Sequence, residues 1–181
     1  MGIKQTLDVI NDMDRDGVIN RYAIGGAVAA YNYVEPALTA DIDIFVSFEA
    51  ESASGLISLK PILTYLQSRG YTDFRKEGLM IEGWPVQFLP VADALDAEAL
   101  DKAEPVEIKA NGGRVHARVM KPEHLVALAL RVGRPKDLLR IAQFLQEKAV
   151  NLKKLKSVIE KHKLLTIWRA FCKKTGTRDP F

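Results

Sequence analysis

A chain of 181 residues, 48% hydrophobic and 27% charged, has the size and balance of a globular protein with one proper core and room for a small helical appendage. Its apolar runs fall short of the roughly 20 residues that span a bilayer, and its single cysteine, Cys172, excludes an internal disulfide and a cysteine-based zinc site. The start of the chain lacks the apolar core of a signal peptide, so a cytoplasmic setting without a membrane partner is expected. The net charge of +3 is unevenly spread: residues 1–130 carry 12 Lys and Arg against 19 Asp and Glu (−7), and residues 131–181 carry 14 against 4 (+10). A basic tail beside an acidic half suits a polyanion, although a solvated lysine-rich helix face accounts for it equally well.

Ile3, Leu7, Ile10 and Met13 recur at helical spacing and predict a helix over residues 3–15, ended by Asp14-Arg15-Asp16-Gly17. Residues 18–24 read as a first strand. Residues 27–33, small and aromatic, suit a short buried helix that Glu35-Pro36 stops, because a residue before proline is pushed out of the helical region. Residues 42–48 form the second strand. Leu56, Leu59, Ile62, Leu63 and Leu66 make an amphipathic helix over 54–69, with Pro61 in its first turns and Gly70 closing it. Further strands are read at 71–77 and at 79–89, the latter turning at Glu82-Gly83, with a polar helix or turn at 92–103. A hairpin follows over 106–119, turning at Asn111-Gly112-Gly113. Four helices complete the chain, at 122–132, 136–148, 151–161 and 164–174, with Gly133 and Pro135 breaking the first from the second. The order predicts an α/β (α+β) fold, with a mixed twisted sheet and helices on one side of it. It divides into a core over 1–120 and a basic helical region over 121–181 packed on that core.

The chemistry concentrates at Gly25-Gly26 and, after fourteen residues, at Asp41-Ile42-Asp43. Period-two alternation points Asp41 and Asp43 to one face. Two carboxylates side by side repel, and a divalent cation between them is the usual remedy. The glycines lead into a helix N-terminus, whose backbone N–H groups suit phosphate oxygens. A solvent-exposed edge strand is the competing reading for the acid pair, and the apolar Ile42, Ile44 and Val46 speak against it.

Tyr22-Ala23-Ile24-Gly25-Gly26 followed by Thr39-Ala40-Asp41-Ile42-Asp43 resembles the nucleotidyltransferase superfamily, the polymerase-beta-like fold. Gly133-Arg134-Pro135-Lys136-Asp137 is similar to a segment of its small bacterial members, which include toxin-like and aminoglycoside-modifying types. The resemblance covers residues 18–148. It implies Mg²⁺-dependent transfer of a nucleoside monophosphate from a nucleoside triphosphate to a hydroxyl, with Asp41 and Asp43 as the catalytic, metal-binding pair. Gly25, Gly26 and Thr39 would lie against the triphosphate, with Arg134 and Lys136 as cations on it. Asp137 would orient the triphosphate or an incoming hydroxyl. The acceptor would be tRNA, a protein or a small molecule, and an antitoxin protein would be a partner.

The chain also departs from the family pattern. Where the resemblance implies a third carboxylate on a later strand it has Gln87, an amide that offers an oxygen to a metal but no charge. Glu82 is a remote substitute. Ala37 and Ala129 replace an arginine and a lysine, with Arg131 two positions beyond the latter. These departures motivate a second reading, a non-catalytic domain that keeps the fold and binds nucleotide or a partner protein. Arg75 and Lys76, on a strand, are weaker site candidates that an exposed edge explains equally well. His116, His124 and His162 share no metal-ligand spacing and read as surface or capping residues, and Trp84 and Trp168 as core or interface anchors.

Overall fold

The computed structural model describes residues 2–36, 38–47, 58–75, 78–110 and 112–181. The first half runs α1 (Ile3–Arg15), β1 (Arg21–Ile24), α2 (Gly26–Ala30), β2 (Ile42–Ser47), α3 (Lys60–Ser68), β3 (Phe74–Arg75), β4 (Gly78–Ile81), β5 (Trp84–Pro90), α4 (Ala94–Asp101), β6 (Glu104–Ala110) and β7 (Gly113–Val119). Four helices follow: α5 (Pro122–Val132), α6 (Pro135–Gln146), α7 (Leu152–Lys161) and α8 (Leu165–Thr175). The strands form one mixed sheet of order β3-β4-β5-β2-β1-β7-β6. Its central strand β2 is antiparallel to β1 and parallel to β5. Among the described residues no helix is long and apolar enough to cross a membrane.

Local chemistry explains most boundaries. Glu82 and Gly83 both adopt positive φ (51° and 90°), the two-residue turn whose twist suits a tight hairpin between β4 and β5. Gly133 ends α5 in the left-handed conformation, and Pro135 opens α6 at its first turn, where a missing N–H costs nothing. β1 starts three residues later than the sequence pattern predicts, because the N–H groups of Val18 and Ile19 donate to Met13 O and close α1 instead. α2 ends at Ala30, short of the predicted Tyr33, and α3 starts at Lys60. The predicted positions Phe48, 54–57, 76–77 and Asn111 lie outside the described residues.

Helices cover both faces of the central sheet, where the sequence pattern predicted one. Pleat alternation sends Tyr22, Ile24, Ile44 and Val46 to one face, and Tyr22 Oη donates to Asn11 of α1 there. Phe45 and Asp43 point to the other face, against Gly25 and Gly26 at the start of α2. Burial of Ala23, Ile24, Ile44, Phe45 and Val46 on both sides is the signature of a doubly covered strand pair.

The helical half meets the sheet half through α5, which packs against α2 and α4 as well as α6, α7 and α8. Two polar ties hold this junction. Asp93 caps α4 by accepting from the N–H groups of Leu95 and Asp96. Arg131 of α5 then bridges Asp93 and the buried Asp96, at 2.6 Å from the latter. The second tie centres on Glu98, whose Oε2 lies 2.7 Å from both Lys161 Nζ and His162 Nε2. Its Oε1 lies 3.6 Å from Nε2 of the buried His124. The side chains of His124 and His162 are therefore enclosed around a carboxylate, whereas the sequence reading made them surface or capping residues; His162 is also the C-cap of α7. Trp168 is fully buried as predicted, stacked on Phe181 with its Nε1 donating to Asp179.

Burial alone would push the Glu98 carboxyl up, but hydrogen bonds from Lys161 and His162 and the Lys161 charge hold it down to about 2. A depressed carboxylate stabilises the fold above its unfolded value of 4.5, and that contribution disappears as pH falls towards about 2. We expect the thermal midpoint of the wild-type protein to drop steeply over this window. A Glu98→Gln variant should start lower at neutral pH and show a flatter acid dependence, as read by circular dichroism melts.

Candidate active site

β1 and β2 meet where the chain turns into α2. The Gly25 N–H donates to Asp43 O at 2.9 Å, extending the β1–β2 ladder by one bond and placing Gly26 directly over the Asp43 side chain. A methyl group on Gly26 would sit 1.9 Å from Asp43 Oδ2, and Gly26 has φ +58°. Gly25 is required by a different neighbour, since a methyl there would sit 2.6 Å from the Phe45 ring. The protein's own side chains thus account for both glycines. α2, at five residues, is too short to contribute much of a helix dipole.

Asp41 lies just before β2 and Asp43 within it, both half-buried. Thr39 precedes the strand, and its hydroxyl donates to Asp41 Oδ1 at 3.2 Å, so it steadies that carboxylate. Gln87 of β5 pairs directly with Asp43 in the parallel register, which sends both side chains to one face. Glu82 sits at the β4–β5 turn, where its Oε1 accepts from Tyr71 Oη at 2.6 Å. No group of three or more His, Cys, Asp or Glu side chains arranged to hold a metal occurs among the described residues. Ala37 and Lys76 lie outside them, and Arg75 pairs with its neighbour Asp73.

The first turn of α6 supplies the opposing charge. Asp137 is buried and accepts from Arg134 Nε at 2.7 Å and from the Arg134 backbone N–H at 3.2 Å, at the start of the helix. Its other oxygen lies 3.7 Å from Arg140 Nη1. Asp137 therefore anchors two guanidinium groups, and Lys136 beside it is exposed. Burial, then the Asp41 charge, pushes the Asp43 carboxyl up, while Arg134, Lys136 and Arg140 pull it back. Donation to Asp137 and, against desolvation, the charges of Asp137, Asp43 and Asp41 raise Arg134. Acid pair and cations thus share one electrostatic neighbourhood. Arg131, by contrast, is engaged by Asp93 and Asp96.

Sequence reasoning missed Arg140 and a second link from α6. Gln143 Nε2 donates to Glu35 O at 3.0 Å, and the Glu35 N–H donates to Glu147 Oε2 at 3.2 Å. Gln143 and Glu147 lie one turn apart on a single stripe of α6, so this helix anchors the segment leading to Asp41 at its far end. The i, i+3 and i+4 spacing of Arg140 from Asp137 and Lys136 was the available signal for the former. For the latter, nothing local marks a contact more than a hundred residues away.

No family model matches the chain, and no curated protein matches it. Among solved structures it is similar to an antigenic nucleotidyltransferase-like protein from Paracoccidioides brasiliensis, at 14% identity over 92% of this chain and 89% of that one, with a TM-score of 0.47. Likeness at that level leaves the function to the site's own geometry.

Gly26→Ala tests the seat of the acid pair. A left-handed alanine costs about 1–2 kcal/mol, and its methyl must also displace the Asp43 carboxylate. We expect urea denaturation to show at least that loss, whereas Gly17→Ala, with the same φ sign but open space around it, should show the backbone cost alone.

Proposed function

We propose that this protein transfers a nucleoside monophosphate from a nucleoside triphosphate to a hydroxyl acceptor. The reading rests on the pairing of Asp43 with Gln87 across β2 and β5, with Asp41 two residues away and Arg134, Lys136 and Arg140 acting on the Asp43 carboxylate. The donor set fits Mg²⁺, which takes carboxylate oxygens alongside water and substrate phosphate. Asp41 and Asp43 are its ligands in this reading, with the Gln87 amide oxygen within the same strand register. Bound there, the ion supplies Lewis acidity to a phosphoryl oxygen.

The chain's own residues do the rest. Lys136 and Arg134 bind the β- and γ-phosphates and offset the charge of the departing pyrophosphate. The acceptor oxygen bonds to the α-phosphorus as the bond to the α–β bridging oxygen breaks, and the hydroxyl proton leaves to solvent. Asp137 holds Arg134 rather than substrate, and Thr39 holds Asp41. Besides Lys136, eight cations of residues 131–181, Lys148, Lys153, Lys154, Lys163, Arg169, Lys173, Lys174 and Arg178, have no carboxylate within ion-pair distance among the described residues. This favours a polyanionic acceptor such as RNA over a small neutral one.

A second reading keeps nucleotide binding without transfer, and the pairing of Gln87 with Asp43 favours it. Labelled triphosphates offered with Mg²⁺, total RNA and a panel of small acceptors separate the two. We expect transfer by the wild-type protein and a drop of about 10²–10³-fold in Asp41→Ala/Asp43→Ala. Triphosphate binding without transfer by the wild type would support the binding domain. Lys136→Ala should raise the KM for triphosphate about tenfold, the loss of one charged hydrogen bond, while leaving the fold intact because its side chain is exposed.

A further inference from the structure

We infer that this site takes one divalent cation rather than two, and that the fixed cations Arg134, Lys136 and Arg140 supply the positive charge a second ion would bring. The inference rests on the nucleotidyl-transfer reading above and concerns how that site is charged.

The donors set the limit. Asp41 and Asp43 are the two carboxylates at the start of β2, and the residue paired with Asp43 on β5 is Gln87. A glutamine oxygen can complete a coordination shell but adds no negative charge. One Mg²⁺ is ordinarily held by one or two carboxylates with phosphate and water, which is the whole complement here. Two divalent ions about 3.5–4 Å apart repel each other four times as strongly as two unit charges, so a two-ion site needs further anionic ligands between them. Among the described residues none joins the pair.

The α6 cations act on Asp43 through their charge. Asp137 is buried and lies within 3.7 Å of the Arg140 guanidinium and 2.7 Å of that of Arg134. Both groups are thereby fixed before any ligand arrives, and Arg140 is largely enclosed, at 17% side-chain exposure. Lys136 adds a third charge on the same turn. A second divalent ion would have to settle into a region these three already make positive. Gln87 is consistent with that arrangement, since a carboxylate there would attract an ion that the α6 cations repel.

The count of bound ions decides the matter independently of turnover. Mn²⁺ is titrated into the full chain with one equivalent of an α,β-methylene triphosphate analogue, and free Mn²⁺ is read by electron paramagnetic resonance. We expect one tightly bound Mn²⁺ per wild-type chain, with no spin coupling between ions, and binding weakened at least tenfold in Asp41→Ala/Asp43→Ala. Gln87→Glu should bind two, with a coupled spectrum. Gln87→Asp repeats this test, should the first variant not fold. Two ions in the wild type, or a single ion in folded carboxylate variants, would overturn the inference and leave the transfer reading standing. Mn²⁺ binding that is absent, or indifferent to loss of both aspartates, would overturn the two together.

Discussion

Two carboxylates at the start of a buried strand, Asp41 and Asp43, repel each other, and much of the surrounding structure answers that repulsion. The backbone bond from Gly25 to Asp43 and the missing side chain of Gly26 hold the Asp43 carboxylate against the turn. Thr39 steadies Asp41. Neither contact neutralises charge. That task falls to α6, whose first turns bring Arg134, Lys136 and Arg140 into the field of Asp43. These cations in turn need Asp137, a buried carboxylate that orders two of them.

The placement of α6 depends on its predecessor. α5 ends at a left-handed Gly133, which breaks the helix and lets Arg134 start the next one at a new angle. α5 itself is moored to α4 through Arg131 with Asp93 and Asp96, and α7 is moored to α4 through Glu98. The uneven charge of the chain then has a structural meaning. Some basic residues of the C-terminal half face the acid pair, and others tie the helices to the sheet half. Lys156 pairs with Glu160 within α7, and most of the rest, on α7, α8 and the end of the chain, have no carboxylate partner among the described residues, the part of the charge that is free to meet a polyanion.

Much of this architecture was legible in the sequence. Apolar spacing marked α1 and the C-terminal helices, the Glu82-Gly83 turn marked the β4–β5 hairpin, and Gly25-Gly26 marked the junction of β1 and α2. These signals are local: they arise from backbone conformation and from side-chain periods of two and 3.6 residues. The same locality explains the errors. Val18 and Ile19 have strand-like side chains, yet their N–H groups close α1. His124 and His162 look like surface histidines until α5 and α7 fold around Glu98.

By itself the sequence determined most of which segments are helix or strand, and it placed two aspartates two residues apart at the start of β2, because each follows from a few consecutive residues. Only the tertiary structure decided what those aspartates meet. Gln87 falls beside Asp43 because β5 runs parallel to β2 in one register, and a shift of a single residue would have turned it to the opposite face. The charge of Arg140 acts on Asp43, and Gln143 and Glu147 hold Glu35, because α6 is brought back towards this part of the chain from about a hundred residues away. Contacts of that span are set by how whole elements stack, and no short stretch of residues encodes them.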